Sequence, residues 1–184
     1  MTISALLLLT LSGNTQTRKN SVAINFGISS GYGYPNVVHQ NSSIPALNLS
    51  GDYSLNKLFS MGVYGSYAYT FHESHTPPEM DYKDVWKGWD MGIRSSFHFS
   101  PLILKNQNID LYLAAFFGYT VHYLLYDKKN IYRYNFKYKV DDINAGSIAG
   151  FRYYISKVVG VYAEAGLARK LFISGGVSFR INSK

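Results

Sequence analysis

The chain has 184 residues, a formal charge of +7 and no cysteine; 16% of it is aromatic, with 17 Tyr and 11 Phe beside 16 Gly, and only 16% is charged. Soluble domains carry roughly 25% charged residues, so much of this surface is expected to face something other than water. The lack of cysteine excludes disulfides, thiolate metal sites, cysteine nucleophiles and a lipid-modified lipoprotein cysteine, and the scattered basic residues form no nucleic-acid-binding tract or motif, so nucleic acid is not an expected partner.

Residues 3–11 (Ile-Ser-Ala-Leu-Leu-Leu-Leu-Thr-Leu) form an apolar run followed by Ser12, Gly13, Asn14, Thr15 and Gln16. That is the order of a secretory leader's apolar region and cleavage region. It is too short to span a bilayer as a helix, which takes roughly 20 apolar residues. The expected organisation is a signal peptide over 1–16 and one domain over 17–184, with no linker or composition shift inside it.

From residue 20 onward the hydrophobic period is two, and it recurs in eight segments. The first sets Val22, Ile24, Phe26, Ile28, Tyr32 and Tyr34 against Ala23, Asn25, Gly27, Ser29, Gly31 and Gly33. The second sets Leu47, Leu49 and Tyr53 against Asn48, Ser50 and Asp52, and the third Phe59, Met61, Val63, Tyr67, Tyr69 and Phe71 against Ser60, Gly62, Ser66 and Thr70. The fourth opposes Trp89, Met91, Ile93, Phe97 and Phe99 to Asp90, Gly92, Arg94, Ser96 and His98. In the fifth, Leu111, Leu113, Phe117, Tyr119, Val121 and Tyr123 oppose Tyr112, Ala114, Gly118, Thr120 and His122. The sixth, seventh and eighth centre on 143–153, 159–167 and 171–180 and repeat the pattern. Each offers about the 9 to 11 residues that a tilted strand needs to cross hydrocarbon.

A soluble barrel would also alternate, and charge placement decides between the two. Asp52, Asp90, Arg94, Arg152, Glu164 and Arg180 all lie on the small-residue face, while the bulky face is almost free of charge. In lipid this pattern is natural, with apolar side chains outside, small and polar ones inside, and closure so that no backbone edge meets hydrocarbon. The expected fold is therefore all-β, an eight-stranded antiparallel up-and-down transmembrane β-barrel. Two aromatic belts fit it, with Tyr32, Tyr34, Tyr69, Phe71, Trp89 and Tyr123 toward one rim and Tyr53, Phe59, Phe97, Phe99, Tyr153 and Phe179 toward the other. Short connections at 54–57 and 156–157, with an intermediate one at 101–108, mark the periplasmic end. Longer ones at 35–43, 72–84 and 127–141 mark the outside.

With these residues the chain, over about 20–182, resembles the small outer-membrane β-barrel superfamily of Gram-negative bacteria, typified by OmpA's membrane domain and OmpX. The segment 172–181 (Phe-Ile-Ser-Gly-Gly-Val-Ser-Phe-Arg-Ile) looks like a terminal strand read by the barrel-assembly machinery, although Asn182, Ser183 and Lys184 follow it in place of a final aromatic residue. The resemblance implies export through the periplasm, an integral outer-membrane location, and lipopolysaccharide and membrane lipid as partners. The roles it offers are envelope integrity, adhesion, ligand binding or lipid A modification.

The inward charges Asp90, Arg94, Arg152, Glu164 and Arg180 are expected to form a salt-bridged polar network, because eight strands enclose only enough space for their own side chains. Glu164 and Arg152, on neighbouring strands, are the first expected pair. The segment 128–139 interleaves cations with aromatics, and Lys128, Lys129, Arg133, Lys137 and Lys139 are the candidates for binding phosphates of lipopolysaccharide or an extracellular ligand or surface. His72, Glu73, His75, Glu79 and Asp81 have metal-ligand chemistry without a metal-site spacing, so they read as an exposed polar loop. No metal or other cofactor is expected. No catalytic residues are assigned, since His98 and His122 face inward by parity and no Ser/His/acid trio forms on the outer surface. The expected function is non-catalytic, with a lipid A deacylase of the same fold or a narrow channel as alternatives.

Overall fold

The computed structural model describes residues 20–30, 42–43, 45–76, 80–104, 108–128, 137–168 and 171–182. The expected leader, 1–16, lies outside the described residues, as do Tyr32 and Tyr34 of the outer belt. Eight strands make the wall: β1 (Ser21–Ser30), β2 (Ala46–Ser54), β3 (Phe59–Thr76), β4 (Met80–His98), β5 (Ile109–Lys128), β6 (Lys137–Tyr154), β7 (Val159–Leu167) and β8 (Leu171–Asn182). A four-residue helix, α1 (Ser100–Ile103), connects β4 to β5, and Pro101 occupies its first turn, where a missing N–H costs nothing. Each strand pairs antiparallel with its chain neighbours, β1 pairs with β8, and the ring is complete. The two-residue stretch Ser42–Ser43 adds to β3 opposite Phe71 and Thr70.

Following the register around the wall from Phe151 through Ala163, Gly175, Ile28, Leu47, Tyr67, Trp89 and Val121 returns to β6 at Asp141. The return point, 141 against 151, is displaced by ten residues, so the strands are staggered and tilted, as closure requires. Burial follows the expected inversion. Leu49, Val63, Met91, Ile93 and Ile143 are more than half exposed, whereas Asp52, Arg94 and Arg152 are nearly inaccessible.

Two expectations are revised. The stretch 72–84 is not a long loop, because β3 runs to Thr76 and β4 begins at Met80. His72, Glu73, Ser74 and His75 thus lie in β3, Asp81 lies in β4 and Glu79 lies outside the described residues. The alternation of apolar and polar residues does not continue through 72–84, so the pattern does not report the strands there. The inner face is also not uniformly small. Among the described residues, Tyr64, Tyr112, Phe116, Tyr154, Tyr162 and Phe172 point inward, and each faces a glycine across the ladder: Gly92, Gly150, Gly146, Gly160, Gly176 and Gly166 respectively. At five of these glycines the facing ring occupies the space a Cβ would fill, most closely Tyr112 at Gly150 and Phe172 at Gly166; at Gly176 the backbone of Phe26 and Gly27 takes that space.

Gly150→Ala is therefore expected to lower the unfolding free energy in lipid vesicles by about 1–3 kcal/mol through overpacking. In a Tyr112→Leu background that cost should shrink. Strictly additive costs in urea titrations would show that ring and glycine are not coupled.

Candidate functional site

The lumen is stacked in layers. At its middle, Arg94 bridges two carboxylates, with Nη2 2.8 Å from Glu164 Oε1 and Nε 3.1 Å from Asp52 Oδ1. Arg152 does likewise, ion-pairing through Nη2 with Asp52 and through Nη1 with Asp110 at 3.2 Å. Asp52 thus sits between two guanidinium groups, and the chain Glu164–Arg94–Asp52–Arg152–Asp110 crosses the interior. Tyr112, fully buried, stabilises it twice: its hydroxyl donates to Glu164 at 2.6 Å and its ring lies 4.3 Å from the Arg152 guanidinium.

The five charges expected in the lumen are all there, but they do not form one cluster. Arg94, Arg152 and Glu164 join the central chain. Asp90 sits apart, accepting from Asn144 Nδ2 at 2.7 Å and from the Tyr64 hydroxyl at 3.2 Å. Arg180 stacks on the Tyr154 ring at 3.5 Å. The pair expected between Glu164 and Arg152 is replaced by Glu164 with Arg94 and Arg152 with Asp52 and Asp110. The cause is visible in the register. Arg152 faces Tyr162 and Glu164 faces Gly150, and the Tyr112 ring lies over Gly150, filling the space between the two charges.

Sequence reading left Ser60, His98 and Asp110 out of the site. Ser60 Oγ lies 2.9 Å from His98 Nε2, His98 Nδ1 lies 2.8 Å from Asp110 Oδ1, and Ser100 Oγ donates to the same carboxylate at 3.3 Å. A carboxylate paired with Arg152 accepts only, so Nδ1 carries the proton on that side. The order of groups is that of a serine hydrolase triad. Its setting is different: Ser60, His98 and Asp110 are 1–2% exposed, whereas acyl transfer needs room beside the hydroxyl and donors for an oxyanion. A luminal cavity of about 30 Å³, room for a water or two, is bordered by Ser50, Tyr64, Arg94, Tyr162, Glu164 and Ser174 but by none of the three. The arrangement acts as an oriented hydrogen-bond relay that anchors β3, β4, α1 and β5 to Arg152 of β6. Parity already pointed Ser60 and His98 inward, but only the register brings Asp110 beside them.

Above the charged layers, Tyr64, Phe116 and Phe172 pack edge to face, with centroids 5.4 and 6.3 Å apart, and Ile148 and Ala114 complete an apolar layer. Among the described residues no three His, Asp or Glu side chains converge as metal ligands.

At the outer rim the cross-strand row Tyr69, Lys87, Tyr123, Lys139 faces outward. Lys87 Nζ lies 5.7 Å from the Tyr69 ring centroid, and half-exposed Lys139 pairs with Asp141 at 2.8 Å, which also accepts from the Tyr119 hydroxyl at 2.7 Å. Lys128 and Lys137 lie at the ends of β5 and β6, and Lys129 and Arg133 lie outside the described residues.

Comparison with protein-family models and with curated sequences finds no match. Solved structures do match in fold. The N-terminal β-barrel domain of Pseudomonas aeruginosa OprF matches with a TM-score of 0.55 at 16% identity, over 90% of this chain and 100% of that one. Ail, the attachment invasion locus protein of Yersinia pestis, solved in complex with the heparin analogue sucrose octasulfate, matches with a TM-score of 0.54 at 16% identity over the same shares. Neisserial surface protein A matches with a TM-score of 0.50 at 13% identity, over 89% of this chain and 95% of that one.

Arg152→Leu would leave Asp52 with Arg94 as its one cationic partner and Asp110 with only His98 and Ser100, breaking two buried ion pairs at a cost of about 3–5 kcal/mol, read as a lower temperature at which the folded gel band converts to the unfolded one. Glu164→Gln keeps hydrogen-bonding capacity and should cost less; the opposite order would refute the central role given to Arg152. A fluorophosphonate probe is expected to leave Ser60 unlabelled in the folded barrel, and covalent labelling would establish an accessible nucleophile instead.

Proposed function

We propose, from the fold this chain shares with the small outer-membrane barrels of the OmpA and OmpX type, that it is an integral outer-membrane protein that supports the envelope non-catalytically and presents its outer end for binding or adhesion. In this reading residues 1–16 direct export and are removed, 17–184 cross the periplasm, and the barrel-assembly machinery inserts them by way of the terminal strand.

The observation that carries the reading is the pairing of an apolar, lipid-facing wall with a cationic, aromatic outer rim. Lys87 and Lys139 alternate with Tyr69 and Tyr123 around that rim, and Trp89 and Tyr67 stack just below at 4.6 Å. Amphipathic rings seat at the headgroup level and ammonium groups meet the phosphates there. The phosphorylated headgroup of lipopolysaccharide is the ligand class this row fits best, and the basic segment 128–139 extends the same chemistry outward to an extracellular ligand or surface. That Ail was solved with a sulfated polyanion is in keeping with such a role for a barrel of this shape.

With Lys87→Glu and Lys139→Glu together, retention of lipopolysaccharide by the folded barrel, measured by native mass spectrometry from mixed micelles, is expected to fall several-fold and to lose its salt dependence. Unchanged retention would reject the outer rim as the binding surface.

A further inference from the structure

The opposite end of the barrel, that of the short connections, has a chemistry of its own. Its two tight turns, 100 residues apart in the chain, are built alike. In Leu55-Asn56-Lys57-Leu58-Phe59, the amides of Leu55 and Asn56 donate to the Phe59 carbonyl, and Asn56 Oδ1 accepts from the amides of Leu58 and Phe59 at 2.7 and 2.8 Å. In Ile155-Ser156-Lys157-Val158-Val159, the amides of Ile155 and Ser156 donate to the Val159 carbonyl, and Ser156 Oγ accepts from the amides of Val158 and Val159 at 3.3 and 3.0 Å. Each turn satisfies its own amides with a side-chain acceptor, holds an exposed lysine at its tip and leaves apolar side chains uncovered: Leu55 at 45%, Ile155 at 49% and Val158 at 50%. The third connection at this end, α1, exposes Leu102 and Ile103, both at 63%.

Charge at this end is one-sided. None of the chain's eleven acidic residues lies in 54–59, 99–109 or 154–159, while each of these connections carries one lysine. Self-capped turns that display aliphatic residues beside a lone cation are poorly suited to water. They suit the glycerol and phosphate level of a bilayer, where aliphatic groups enter the acyl boundary and ammonium groups reach the phosphates. The surface is continuous with the lipid-facing wall through Tyr53, Phe59, Val159 and Phe179, all substantially exposed.

We propose that the short-turn rim is seated in the headgroup layer of the inner leaflet and selects anionic phospholipid, with Lys57 and Lys157 contacting lipid phosphate and Leu55, Leu102, Ile155 and Val158 anchoring the rim. The inference rests on the membrane-spanning reading of the wall and is independent of the binding role given to the other end.

The full chain is refolded into vesicles of phosphatidylcholine with or without phosphatidylglycerol, and insertion is verified by the heat-dependent gel shift. Both native tryptophans, Trp86 and Trp89, are replaced by Phe, and a reporter is introduced by Leu102→Trp or, should that variant not insert, by Ile155→Trp. Blue-shifted emission and quenching by lipids brominated close to the glycerol are expected. Water-like emission without quenching in an inserted barrel would overturn the proposal, whereas failure of the parent chain to insert would instead overturn the membrane-spanning reading. In a Lys57→Gln, Lys157→Gln variant, the preference for phosphatidylglycerol over phosphatidylcholine is expected to fall by about five-fold per lysine. An unchanged preference would remove the phosphate contacts from the proposal's foundation and overturn it.

Discussion

A backbone surrounded by hydrocarbon can hydrogen-bond only to itself, and this constraint organises the whole molecule. It forces the eight ladders into a ring, and the ten-residue stagger of that ring tilts every strand. Tilt and strand number together set the interior width, which at eight strands is no larger than side chains can fill. The interior is therefore a packed core wrapped by its own surface. Its polarity is inverted because lipid has claimed the apolar face of each strand.

Filling that core raises two problems, solved together around Tyr112. Bulk must be supplied without spreading the strands, and glycines opposite the inward rings provide the space. Charge must be held away from water, and the two central guanidiniums each engage at least two acidic or aromatic groups: Arg94 with Asp52 and Glu164, Arg152 with Asp52, Asp110 and the Tyr112 ring. Because a lone buried charge costs several kcal/mol, these contacts depend on one another. The chain they form joins β2, β4, β5, β6 and β7 from within, beyond the reach of any single ladder.

How much of this was legible beforehand depends on what each residue faces. Between Val22 and Ile28, or Leu111 and Val121, alternation is enforced by lipid on one side, so strand and parity can be read directly. The inward charges followed from the same parity. Their partners did not, because parity fixes a side of the wall but neither height nor azimuth: Glu164 and Arg152 lie on adjacent strands yet are kept apart by a ring from a third. Asp110 lies just before Leu111, where the legible alternation of β5 begins, and offered no signal until the register set it beside His98. In β3 beyond Phe71 the sequence stops alternating and looks like a polar loop, yet the ladder with β4 continues to Thr76 opposite Met80.

Strand length then separates the part of the wall that spans from the part that stands beyond it. β1, at ten residues, rises about 25 Å when tilted by roughly 40°, close to the apolar band of a membrane barrel. β3 to β6, with 18, 19, 20 and 18 residues, rise about 20 Å further by the same geometry. Among the described residues the wall thus ends obliquely, with the four contiguous strands β3 to β6 standing above the others. The Arg152 chain and the glycine-ring contacts all lie below this extension, so the packing that holds the barrel closed is complete within the ring and does not depend on the residues above it.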